Sequence, residues 1–275
     1  MSFTPVVPVG GYAGWTFLAR TREAQKQAFV ASASQQRDEA YFRAKIGGIS
    51  TAEELVADRR LLSVALGAFG LEADIDNRYF IRKVLEDGTL TPGALGNKLA
   101  DKRYLEFSKA FGFGDYATPR TKLSDFADRM LESYETRSFE AAVGAQNDDM
   151  RLAMNAEREL ARLAGRAGSD DAKWFEVMGS PPLREVFQTA LGLPSAFARL
   201  DLDQQLGVFR ERAERVLGDA EISQFADPGK IGNLVRVFLL RAESGAAASV
   251  YSARSAALTL LQSAGPRGTL VSRLV

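Results

Sequence analysis

The sequence predicts an all-α protein: a multi-helix orthogonal bundle built from two related helical units, with long Ala/Ser-rich helices toward its two ends. Three observations carry that expectation. Apolar residues recur at helical spacing through nearly the whole chain, and no alternating apolar–polar run supports a sheet. Helix punctuation is dense, with side-chain N-caps, prolines at first helical positions and glycines past helix ends. A Gly-ended segment also recurs, as SVALGAFGLEAD at 63–74, SKAFGFGDYA at 108–117 and QTALGLPSA at 188–196.

The elements follow in order. Residues 1–14, with Pro5, Pro8 and Gly10-Gly11, read as an irregular arm. A long polar helix over 15–46 carries a thin apolar seam through Trp15, Leu18, Phe29, Ala33, Ala40 and Ile46. After Gly47-Gly48, the stretch Ser50-Thr51-Ala52-Glu53 reads as a capping box that starts a second helix, with Leu55, Leu62, Leu66 and Phe69 inward. Residues 76–87 give a short helix with Tyr79, Phe80, Val84 and Leu85 toward the core. Thr91-Pro92 reads as an N-cap followed by Pro at the first helical position, starting a helix that carries Leu95, Leu99, Tyr104, Phe107 and Phe111. Two longer amphipathic helices fill 122–166, broken at Gly144-Ala145-Gln146-Asn147.

The Gly/Ser/Asp stretch 165–171 is the best boundary, so the chain divides into an N-terminal unit over 15–168 and a C-terminal unit over 169–264. Helices resume from Ala172, with breaks at Pro181-Pro182 and Pro194. Trp174 and Phe175, just before that first break, read as core. The last helix, over 246–263, is rich in Ala and Ser; Gly265-Pro266 ends it, and 265–275 reads as a flexible tail.

The recurring glycines invite comparison with a phosphate-cradling loop. Aligned on Gly70, Gly112 and Gly192, the segments share Ala65, Phe107 and Phe187 in one column and Ala68, Ala110 and Ala190 in another. An apolar residue precedes each glycine and another follows it. That is the pattern of a helix closed by a left-handed glycine whose next apolar side chain folds back onto the last turn. A phosphate loop must open a helix, whereas these close one. Gly93-Ala94-Leu95-Gly96-Asn97-Lys98 lies at a helix start but lacks the phosphate-loop spacing, and Pro92 removes one N–H.

The similarity extends further. Residues 82–87 resemble 214–219, and Thr91 to Asn97 resembles Asp227 to Asn233, so 61–107 and 183–240 read as two copies of one unit. Asp74-Ile75-Asp76 and Asp201-Leu202-Asp203 fall at matching places and read as helix N-caps rather than a cation site. Asp148-Asp149 and Asp170-Asp171 read as solvated loop charges.

Lys plus Arg and Asp plus Glu number 35 each, which removes the electrostatic footprint of a dedicated nucleic-acid binder. There is no Cys and no His, so disulfides, thiolate sites, the commonest neutral-pH base and the commonest zinc ligand are all missing. No segment is apolar enough to span a bilayer, and the N-terminal stretch lacks the cationic start of a cleaved signal peptide. The sequence nominates no catalytic, cofactor-binding or metal-ligating residue. Its best hint of assembly lies in the two small-residue-rich terminal helices, which bury little area per residue and need a partner, either each other or another chain.

Ala57-Asp58-Arg59-Arg60-Leu61 leading into Ala68-Phe69-Gly70-Leu71, then residues 80–85 and Asp101-Lys102-Arg103-Tyr104, resemble an uncharacterised bacterial family. The second half adds Ser180-Pro181-Pro182-Leu183, Asp203-Gln204-Gln205-Leu206 and Phe225-Ala226-Asp227-Pro228. Members of that family, a domain of unknown function, are often encoded close to flagellar genes, and the resemblance covers about 10–245. It implies motility as a context and carries no catalytic residues. The expectation is a non-enzymatic helical protein that acts by protein–protein contact, as a structural or accessory component of the bacterial flagellum. Its partners would be flagellar components or a second copy met through the terminal helices, with no nucleic acid and no membrane span. The alternative is a cytoplasmic adaptor, chaperone or regulator of flagellar assembly; an enzyme without His or Cys is a third reading. The expected location is the cytoplasm, or the flagellum by signal-independent export.

Overall fold

The computed structural model describes residues 3–263, with side chains described to Gly245 apart from Ser195. The described residues form thirteen α-helices and five short 3-10 turns, with no strand among them. The first nine helices are α1 (Gly11–Val30), α2 (Ala33–Lys45), α3 (Ala52–Ala57), α4 (Arg59–Gly67), α5 (Arg78–Asp87), α6 (Leu95–Lys98), α7 (Arg103–Phe111), α8 (Phe126–Gly144) and α9 (Asp148–Ala164). The last four are α10 (Asp170–Gly179), α11 (Pro181–Leu191), α12 (Leu202–Leu217) and α13 (Pro228–Ser263).

Two apolar clusters organise the molecule. One gathers Phe42 and Ile46 with α3, α4, α5, α7 and the first turns of α8, around Leu66, Phe107, Phe111 and Phe126. The other gathers Trp15 and Leu18 of α1, the end of α8, and α9 to α13, around Leu160, Trp174, Phe187, Phe209 and Phe238. α8 serves both: Phe126, Met130 and Leu131 enter the first cluster, and Phe139 and Val143 enter the second. Trp174 stacks on Phe209 and meets Phe187 edge-on, while its Nε1 donates to the Ala220 carbonyl at 2.9 Å, so the indole is buried with its donor satisfied.

Much of the punctuation forms as the residues dictate. At Gly70 (φ +68°) the Leu71 N–H reaches the Leu66 carbonyl and the Gly70 N–H reaches Gly67, the paired bonds of a Schellman ending. Gly192 repeats this with Leu193 to Gln188 and Gly192 to Thr189. Gly112 differs, closing α7 with a single bond to Ser108. The break at 144–147 and the prolines that open α11 fall where expected.

Other expectations are corrected. The helix over 15–46 is two helices, because Ser32 is extended and the chain leaves one core for the other there. Its buried positions include Gln25, Gln35 and Phe42, whereas Ala33 and Ala40 are exposed. The arm ends at Gly10, and Gln25 holds it by bonding both the Val6 N–H (2.6 Å) and the Val6 carbonyl (3.2 Å). The capping box is Thr51 with Glu54, one residue later than read, and Asp58 caps α4 separately.

Thr91-Pro92 does not open a helix. The Thr91 carbonyl accepts from Ala94 and from the Asn97 side chain, which fixes a turn, and only the four residues of α6 follow before α7. Pro228, its counterpart, does open α13, and the stretch 246–263 is the second half of that one helix. Asp201 caps α12, but Asp74 accepts the Tyr104 hydroxyl and Asp76 pairs with Arg59, so neither caps α5. Asp148, Asp149, Asp170 and Asp171 are first-turn residues, and Asp170 further accepts the Ile222 and Ser223 N–H groups. Tyr79 and Phe175 are 74% and 40% exposed rather than core. The Gly265-Pro266 ending and the 265–275 tail lie outside the described residues.

Candidate functional site: a charged cleft between the two cores

Helix α9 packs against α8, α11, α13 and the 3-10 turn at Ile222–Ala226. On its remaining side Arg151, Asn155, Arg158 and Arg162 recur at intervals of four, three and four residues, one continuous stripe of a helix. That stripe and the facing side of α8 floor a cleft of about 730 Å³. Its walls are the Gly70 turn with the start of α7 on one side, and Glu176 of α10 with the start of α11 on the other.

An ion-pair network lines the floor. Arg158 forks onto Glu140, with Nε to Oε1 at 2.9 Å and Nη2 to Oε2 at 3.0 Å. Glu159 takes three guanidiniums: Arg137 at 2.9 Å, Arg162 at 3.0 Å, and Arg158. The side chains of Glu140, Glu159 and Arg137 are only 7%, 14% and 18% exposed. Arg103 forks onto Asp101 and donates to the Gly70 carbonyl. Glu140 and Arg158 also line a smaller recess of about 300 Å³ on the α1 side.

Burial alone would raise the Glu159 carboxyl, but Arg158, Arg137 and Arg162 outweigh it and hold the group below the usual carboxylate range. Burial and the neighbouring Arg158 push the Arg137 guanidinium down. Such networks cost desolvation energy and are weak evidence for stability, while charges held out of water in a cleft are a frequent mark of a binding site.

The structure brings together three segments that the sequence reading kept apart: Ala68 to Gly70, Asp101 to Arg103, and Ser180 to Leu183. Asp74, Asp76, Asp201 and Asp203 line neither cleft. The α9 stripe escaped the sequence reading, although its helical spacing was there to find. Among the described residues no group of three or more His, Cys, Asp or Glu is placed to hold a metal ion, and no helix is long and apolar enough to cross a membrane.

A two-core helical body with a guanidinium-rich cleft at the junction defines the class by architecture. The chain's particular kinship follows from comparison. Residues 68–231 match the model of a family described as a protein of unknown function, DUF1217, and the chain belongs to that family. Every residue lining the larger cleft falls within that span. An X-ray crystal structure of a protein from Agrobacterium tumefaciens, a structural-genomics target, is similar to this chain with a TM-score of 0.70 and 25% identity. The similarity covers 87% of this chain and 98% of that one. No curated protein matches the chain.

Proposed function

We propose that the chain acts by protein–protein contact rather than by catalysis, with α13 as its assembly element. The supporting observation is the helix itself. It runs for 36 residues, about 54 Å at 1.5 Å per residue, whereas a compact body of this chain length is roughly 50 Å across. Among its described side chains, the buried apolar ones, Ile231, Leu234, Val235, Phe238 and Leu239, lie in the first third. The remaining sequence is the Ala/Ser-rich stretch, which buries little area per residue and gains helical stability from a partner. The N-terminal helices do a different job, since Trp15 and Leu18 belong to one core and Phe42 and Ile46 to the other.

The finer reading is an accessory component of the bacterial flagellum, supported by the resemblance to a family often encoded near flagellar genes. A cytoplasmic adaptor or assembly chaperone is distinguished by location: that protein stays in the cytosol and is missing from purified basal bodies and culture supernatant. Removing residues 246–275 takes away none of the described core side chains. The truncated chain should melt like the full one while losing partner capture and motility. Full motility with the truncated chain would overturn the proposal. Deleting 1–46 is the wrong test, because it removes parts of both cores.

A further inference from the structure

We propose that the cleft between the two cores binds a small oxyanion-bearing molecule, a carboxylate or a phosphate compound, seated against Arg137 and Arg162 with Asn155 reading its polar body. The first argument is a count of donors and acceptors. Both Glu140 oxygens are taken by Arg158, and Glu159 is shared among three guanidiniums. Each guanidinium carries five N–H groups. Arg137 and Arg162 each place a single nitrogen on an acceptor, and Arg151 does the same toward Asp148 at 2.6 Å. The floor therefore has donors left over, while the Glu140 and Glu159 carboxylates are already engaged.

The second argument is like charge. Arg103 Nη1 and Arg137 Nη1 lie 3.5 Å and 3.4 Å from the point a Gly70 Cβ would occupy, so two guanidinium ends share one corner that glycine leaves open. Arg103 already donates from Nε, Nη1 and Nη2, so an oxyanion there offsets the repulsion and accepts from the unengaged Arg137 Nη1. The third argument is Asn155, only 7% exposed, whose Oδ1 has no hydrogen-bond partner and whose amide forms no hydrogen bond among the described residues. The unmatched Oδ1 is an acceptor, so the group that recovers its cost is a hydroxyl or N–H on the ligand's body rather than the oxyanion itself.

The start of α11 borders the cleft but supplies no donor from its first two positions, because Pro181 and Pro182 carry no N–H. Glu72, Glu106 and Glu132 also line the cleft and are exposed, beside Asp101 and Glu176. The Glu72 carboxylate lies close enough to Arg137, Arg103 and Arg151 to offset part of their charge. These acids favour an anion of low charge over a polyanion. The volume falls within the range of small-molecule sites.

The test is a titration of the full-length, isotopically labelled chain, followed by backbone amide shifts, with inorganic phosphate in one arm and citrate in the other at constant ionic strength. The expected result in at least one arm is a saturable shift confined to Gly70, Arg103, Asn155 and their neighbours, with a Kd of about 1 mM or tighter. Response to phosphate alone identifies a phosphoryl ligand, and response to citrate alone a carboxylate. Asn155→Asp places a carboxylate among the arginines and should weaken binding at least about tenfold. Arg162→Gln alters a side chain that is 56% exposed, so the fold should hold while binding falls. A purely structural network predicts the opposite pattern. Shifts that scatter over surface cations, rise linearly with concentration, or persist unchanged in a folded Asn155→Asp chain would overturn the proposal.

Discussion

Three glycine-to-alanine substitutions separate backbone strain from steric overlap. Gly70 has φ +68°, and an added Cβ would meet only the mobile ends of Arg137 and Arg103 at 3.4 Å and 3.5 Å. Space is therefore ample, and the cost is conformational. Holding an L-residue in the left-handed region costs about 1–2 kcal/mol, and the stiffer unfolded chain returns about 0.4–1 kcal/mol. The net loss for Gly70→Ala is thus about 1 kcal/mol. Gly114 lies outside the left-handed region, but its Cβ would overlap the Glu86 carbonyl and the Gly88 nitrogen, with the Glu86 carbonyl carbon 2.8 Å away. Backbone cannot swing aside as a side-chain end does, so Gly114→Ala should cost the roughly 1–3 kcal/mol of overpacking, toward the upper end. Gly93 has negative φ and nothing within 4 Å, so its alanine variant should be neutral or slightly stabilising. Urea denaturation followed by circular dichroism at 222 nm gives the order of midpoints, which is readable even where two cores unfold separately. A Gly70→Ala chain with the wild-type midpoint, or a Gly93→Ala chain as weak as Gly70→Ala, would refute the reasoning.

Two further expectations follow from the packing and the network. Trp174→Ala should destabilise by about 3–5 kcal/mol, because a fully buried ring and a satisfied donor are lost together. Its neighbour Phe175, 40% exposed, should accept Ser within about 0.5 kcal/mol; thermal melts of the pair test which side of α10 faces inward. Glu159→Gln should cost about 3 kcal/mol at neutral pH by leaving three guanidiniums short of their counter-charge. The Glu159 carboxyl is held below its ordinary value of 4.5 in the folded chain. Its contribution is therefore present above that value and fades as pH falls through the lower folded one. The gap between the two chains should narrow in acid below about pH 4.5 in melts taken across pH, and a gap that widened there would contradict the assignment.

What could be read from the residues was whatever is decided within a few positions. A left-handed glycine followed by an apolar residue needs only its own last turn, so Gly70 and Gly192 close their helices as their sequence implies. Pro181 and the 144–147 break work the same way. Failures came where two local solutions compete or a distant partner decides. Ser50 and Thr51 are both competent caps, and Glu54, which bonds back to the Ser50 and Thr51 N–H groups, selects the later frame. Thr91-Pro92 carries the same signal as Asp227-Pro228, yet only Asp227 accepts the N–H two residues on and starts a helix. In the first copy Asn97 bonds the Thr89 and Thr91 carbonyls and a turn forms, although Asn233 stands at the matching place in the second. Tyr79 and Phe175 sit at helical spacing beside core residues, but which flank of a helix is covered depends on neighbours far along the chain. The cleft lies at that extreme. Its floor comes from α8 and α9 and its rim from segments near 70, 102 and 181, so only the α9 stripe is visible in one stretch of sequence.

The two proposals rest on different faces of one helix, which makes them separable. α9 meets α13 through its apolar side and lines the cleft with its polar stripe, and among the described side chains none of α13 lines that cleft. Truncation after Gly245 therefore leaves the guanidiniums and Asn155 where they are, and Asn155→Asp leaves α13 untouched. If truncated chains lose partner capture yet still titrate with phosphate or citrate, assembly and ligand binding are independent properties of the fold. Should truncation abolish both, α13 and the cleft are coupled through the helices that touch both, α9 and α11, the latter lining the cleft with Pro182 and Leu183.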